Sequence, residues 1–109
     1  MKTPQRRKKD KQHEDPKISF SELQNIFKLM GNHFRLSFLV VLGKHKKLTL
    51  DQINGLIGGS FANISAHSRK LHQAGLIKKE HRNNFVLHSL TLNGKRALKA
   101  LDLFNYSIE

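Results

Sequence analysis

The chain has no Leu, Ile, Val, Phe or Ala between Met1 and Ile18, and then turns to a dense pattern of apolar positions. Ser19-Phe20-Ser21-Glu22 has the Ser-x-x-Glu form of a capping box, with Ile18 and Leu23 placed as a hydrophobic staple. Leu23, Ile26, Phe27 and Met30 follow at helical spacing, and Gly31-Asn32 supplies a stop or bend. The next segment, roughly 33–43, is apolar on most sides (Phe34, Leu36, Phe38 to Leu42), which places that helix at the centre of a core. Thr49-Leu50-Asp51-Gln52 repeats the capping box with Leu48 and Ile53 as staple, and Gly58-Gly59 ends this short third helix. Ser60 caps a fourth helix, 60–74, that turns Ile64, Ser68 and Leu71 inward and stops at Gly75.

Two strand-length runs, 76–81 and 85–90, flank Arg82-Asn83-Asn84. Asparagine tolerates positive φ, so this reads as a β-hairpin. Thr91 caps a last helix with Ala97, Leu98, Leu101, Phe104 and Ile108 on one stripe. The predicted order is α-α-α-α-β-β-α, mainly α with a small hairpin, and the third and fourth helices joined by a tight glycine turn form a helix-turn-helix. Residues 18–109 make one domain behind a basic arm, 1–17, too polar to fold alone.

Charge sharpens the picture. Twenty Lys and Arg against eight Asp and Glu give +12. The arm accounts for only +4 of this, so residues 18–109 keep +8 and the folded part is itself basic. A polyanion is the first partner to consider. The absence of cysteine excludes disulfides and thiolate metal sites. The scattered histidines form no metal constellation, and no cofactor motif, nucleophile–base pair or phosphate loop is present, which argues against an enzyme. The longest apolar run is too short to span a membrane, and no secretory leader is evident, so a soluble cytoplasmic protein with no membrane partner is expected.

Ile64-Ser65-Ala66-His67-Ser68-Arg69-Lys70-Leu71-His72-Gln73-Ala74-Gly75-Leu76 resembles the recognition helix of winged-helix repressors of the ArsR and MarR types, Val-Ser-x-His-Leu-x-x-Leu-x-x-Ala-Gly-Leu. Met30 to Leu36 is similar to the start of the ArsR second helix, and Leu90-Thr91-Leu92-Asn93-Gly94 to the MarR Leu-Thr-x-x-Gly after the wing. Ser68 replaces the usual core Leu, and Phe61 stands where a polar base-contacting residue is common. The resemblance implies a winged helix-turn-helix and a DNA-binding transcriptional regulator acting as a repressor.

In such a fold the second helix of the motif enters the major groove by its N-terminal end. The base-facing candidates are Ser60, Phe61, Ala62, Asn63, Ser65 and Ala66, with Asn63 suited to adenine and Phe61, Ala62 and Ala66 to thymine methyls. Phe61 is equally suited to fold back on the core. His67, Arg69 and Lys70 sit where phosphates pass, and His67 has the alternative of bonding neighbouring helices. Lys78, Lys79, Arg82 and Asn83 form the wing, Arg82 being the foremost minor-groove or phosphate contact, and Thr49 extends the footprint. Phe20, Leu23, Phe27, Leu98, Leu101 and Phe104 leave apolar surface for a homodimer interface, or else close a monomeric core. Double-stranded DNA is the leading partner; an acidic protein or a structured RNA remains open.

Overall fold

In the computed structural model, which describes residues 17–108, the chain runs α1 (Phe20–Met30), α2 (His33–His45), α3 (Leu50–Ile57), α4 (Phe61–Gln73), β1 (Ile77–Arg82), β2 (Phe85–Leu90) and α5 (Leu92–Asp102). This is the expected order. The basic arm read over 1–17 lies, apart from Lys17, outside the described residues.

Each helix starts where the sequence offers a side-chain acceptor. Ser19 Oγ accepts from the Glu22 N–H at 3.0 Å while the Glu22 carboxylate accepts from the Ser19 N–H at 3.1 Å, completing the capping box. Thr49 and Gln52 do the same at the head of α3. Ser60 Oγ accepts from the Asn63 N–H at 3.1 Å at the head of α4. Caps of this kind each stabilise a helix by about 1 kcal/mol. Asn32 does more than bend the chain: its Oδ1 accepts from the N–H groups of Phe34 and Arg35 at 3.0 and 3.1 Å, so the break after α1 is also the cap of α2.

α2 is the central element, in contact with α1, α3, α4, α5 and β2. Its Phe38, Leu39 and Leu42 are buried with Ile53 of α3, Ile64 and Leu71 of α4, and Leu76, Ile77 and Leu90 at the base of the hairpin. The turn between α3 and α4 has φ +88° at Gly58 and +89° at Gly59, a backbone that any Cβ would strain. β1 and β2 pair antiparallel from Ile77 opposite Leu90 to Arg82 opposite Phe85. The loop before α3 adds a bridge, Leu48 to His88, in which both backbone N–H groups donate across the pair. No single described helix is long and apolar enough to cross a membrane.

Three expectations are corrected. α2 runs two residues past Gly43, to His45. Asn83 and Asn84 are not among the residues of positive φ, so the hairpin reverses without the mirror-image turn; asparagine permits that conformation and does not impose it. α5 ends at Asp102, so Phe104 and Ile108 are not part of its stripe. From Leu103 onward the chain leaves the helix, and Leu103 and Phe104 are exposed.

Candidate nucleic-acid interface

The core fixes which way α4 faces. Ile64, Ser68 and Leu71, at spacing i, i+4 and i+7, are buried at 1% exposure or less. By helical periodicity the opposite stripe is Ala62, Ala66, Arg69 and Gln73, with Asn63 and Lys70 flanking it on one edge and Ser65 on the other. Ala62, Asn63, Arg69, Lys70 and Gln73 are exposed, and Ser65 and Ala66 are half-buried. The small side chains of Ala62 and Ala66 leave the helix backbone open to close approach. Ser60, by contrast, spends its hydroxyl on the cap.

Arg35 of α2 holds the helix in place. Its Nε donates to the Leu29 carbonyl of α1 at 2.6 Å and its Nη1 donates to His67 Nδ1 of α4 at 3.3 Å, so one side chain ties three helices. An arginine only donates, so His67 accepts at Nδ1 and, when neutral, carries its proton on Nε2. Phe34 stacks on the same imidazole, centroids 5.9 Å apart and planes 11° from parallel. Burial first, and then the charges of Arg35 and Lys70, hold the His67 pKa below the ordinary histidine range. Between its phosphate-contact and helix-bonding readings, the structure places His67 against neighbouring helices.

The hairpin stands beside α4. A cleft of about 380 Å³ lies between the two, bounded by Thr49 and Leu50 at the head of α3, Phe61 at the head of α4, and Lys79 and His81 of β1. Phe61 is 46% exposed and lines this cleft, so it does not fold back into the core. Thr49 also lines it, with its hydroxyl engaged as a cap. Lys78, Arg82 and Asn83 are exposed along the strand and its tip. Arg82 and Lys47 both pair with Glu80, the latter at 3.1 Å, and these bonds depress the Glu80 pKa. The carboxylate therefore partly neutralises the wing.

Two features of this surface escaped the sequence. Gln73 completes the outward stripe, one helical step beyond Arg69, and periodicity alone would have found it. Arg35 contacts residues six positions before it and thirty-two after it, and no local pattern marks such a reach.

No protein-family model matches the chain, and comparison with curated proteins gives no match. Solved structures do match. Reduced HlyU from Vibrio cholerae superposes with a TM-score of 0.70 at 20% identity, over 80% of this chain and 92% of that one. Mb0332 from Mycobacterium bovis, a homodimeric winged helix-turn-helix DNA-binding domain of a possible ArsR-family transcriptional regulator, gives 0.70 at 15% identity, over 95% and 90%. NolR from Sinorhizobium fredii gives 0.69 at 19% identity, over 94% and 96%. The fold is a winged helix-turn-helix. The hairpin is the wing of this fold and α4 is the second helix of its helix-turn-helix; among these neighbours the Mycobacterium bovis domain is described as possibly ArsR-family, one of the two types that residues 64–76 resemble.

The dimer candidates divide. Phe20 and Phe27 of α1 are exposed at 89% and 62%, and Phe104 at 82%. Leu23 is half-buried. Leu98 and Leu101 pack against the core.

Proposed function

We propose that this chain is a sequence-specific transcriptional regulator that binds double-stranded DNA, reads the major groove with α4, and represses as a homodimer. One observation carries the reading: the buried stripe of α4 leaves a small, polar and cationic outward face beside a basic wing, in the arrangement that docks a recognition helix in a groove. Asn63, with Ala62, Ser65, Ala66 and Gln73, reads bases. Arg69 and Lys70, with Lys79 and Arg82 of the wing, hold phosphates, which sets position more than sequence. Phe61 offers an apolar edge to a thymine methyl.

The exposed Phe20 and Phe27 support assembly into a dimer, because apolar rings in water favour a partner. The homodimeric state of the Mycobacterium bovis neighbour points the same way. A two-fold dimer sets two α4 helices about 34 Å apart on a near-palindrome. The protein acts in the cytoplasm and has no catalytic role.

Two substitutions test the assignment on a duplex selected from genomic DNA. Asn63→Ala lowers discrimination between that duplex and a random one, whereas Arg82→Ala weakens both alike and flattens the salt dependence. Equal loss on both duplexes for Asn63→Ala refutes its role as a base reader.

A further inference from the structure

On the other side of the wing lies a second cleft, about 480 Å³, between the end of α2, the base of the hairpin and α5. It shares no lining residue with the cleft beside α4. Strand alternation explains the separation: the paired Lys79 and His88 face the α4 side, and the paired Lys78 and Ser89 face away from it.

Five lysines line this second cleft: Lys46, Lys47, Lys78, Lys95 and Lys99. Asp102 is the one carboxylate among its lining residues. Lys47 is paired with Glu80, but Lys46, Lys78, Lys95 and Lys99 make no ion pair among the described residues. Lys46 at the C-cap of α2 and Lys99 in the last turn of α5 stand where the helix dipole favours a cation, and Lys95 stands where it does not. Lys95 stands near the head of α5, whose first turn holds no acid, so its charge opposes the helix dipole. Lys99 follows Lys95 at i+4, a like-charge spacing that is unfavourable on a helix face. Lys46, at φ 69° and ψ −58°, occupies the centre of a γ-turn closed by the Lys47 N–H on the His45 carbonyl, a conformation strained for any residue with a Cβ.

The floor of the cleft is apolar, made by Leu42, Leu90 and Leu98, and the Ser89 hydroxyl adds a neutral donor. We propose that this cleft binds a small organic phosphate carrying at least two negative charges, its phosphates on the lysines and its body on the leucine floor. The volume falls in the ordinary range for small-molecule sites, about 300–1,000 Å³. Lysine suits phosphate as a point charge, and the cleft has no arginine fork of the kind that matches planar carboxylates. DNA carries phosphate too, but a concave site with an apolar floor, on the face of the hairpin turned from α4, fits a compact ligand better than a duplex backbone. The proposal stands independently of the DNA-binding function.

The test is titration of the full-length, ¹⁵N-labelled protein with inorganic tripolyphosphate, and separately with adenosine triphosphate, at about 0.15 M salt, where surface charges are screened beyond about 8 Å. The amides of Lys78, Ser89 and Leu98 are expected to shift and saturate. Lys95→Ala/Lys99→Ala should weaken binding about tenfold, the scale of losing charge-assisted bonds. Lys28→Ala/Lys44→Ala removes the same charge outside the cleft and should change affinity by less than about twofold. The same spectra show whether each variant is folded, and Ser89→Asp, which adds an anion to the cleft, should abolish binding independently. Shifts spread over all exposed lysines, or equal weakening by the two double variants, overturn the proposal. So does a short DNA duplex that shifts the cleft amides and displaces tripolyphosphate, which assigns the cleft to the DNA path.

Discussion

Replacing Gly94 by alanine sets two effects of known sign against each other. Gly94 lies inside the first turn of α5, where alanine favours the helix by about 1 kcal/mol. A Cβ at this position, however, falls within contact distance of the Leu76 carbonyl oxygen and 3.1 Å from both the Leu76 carbonyl carbon and Leu90 Cδ2. That oxygen is not free to retreat. It accepts the Thr91 N–H at 3.1 Å, while Thr91 Oγ1 bonds the Gly75 carbonyl and caps Gly94. Making room costs about 1–3 kcal/mol as overpacking and about 1 kcal/mol for the disturbed hydrogen bond. The clash wins. The net is a destabilisation of about 1–3 kcal/mol, or about 5–20 °C in Tm for a domain of this size. Urea denaturation followed by circular dichroism measures it. A variant as stable as the parent, with an unchanged denaturant slope, refutes the close approach and with it the physical reason for glycine in the Leu-Thr-x-x-Gly segment.

Ser68 is 1% exposed and its hydroxyl has no hydrogen-bond partner, so Ser68→Ala should be neutral or stabilising by up to about 1–2 kcal/mol; a clear loss in the same denaturation assay reveals a bond the serine makes. His88 is buried, and burial outweighs its bond to the Leu48 carbonyl to hold its pKa low, as burial does for His67. With folded pKa values below the unfolded one, stability is full above about pH 6.5 and falls as pH drops through that value; a denaturation midpoint unchanged between neutral and mildly acidic pH contradicts this. Arg35→Met leaves the Leu29 carbonyl and His67 Nδ1 without their donor and should cost about 1–3 kcal/mol, and should weaken duplex binding further by loosening α4; full binding by a folded variant, measured by fluorescence anisotropy, excludes a positioning role.

What was legible in the sequence was local. Ser19, Thr49, Ser60 and Thr91 announce helix starts because a cap needs only residues within one turn of it. The inward face of α4 follows from spacing, and even the unusual Ser68 is buried as that spacing requires. Contacts set by tertiary packing were not legible. Arg35 joins segments far apart in the chain, Leu48 pairs with His88 across forty positions, and Glu80 takes Lys47 as well as its neighbour Arg82. The end of α5 is not marked in the sequence, because Phe104 and Ile108 keep the apolar period past the point where the helix stops. Phe61 was undecidable, since an aromatic after a cap fits a core and a groove equally well until the wing is in place.

The central claim is that the outward face of α4 reads DNA sequence. Its most direct test is the ratio of affinities for a duplex selected from genomic DNA and a random duplex of the same length, measured by anisotropy at several salt concentrations with double-stranded RNA alongside. The account predicts a preference for the selected duplex of at least about 10³-fold near physiological salt, with both DNA affinities falling as salt rises. Indistinguishable affinities for selected DNA, random DNA and RNA would contradict it.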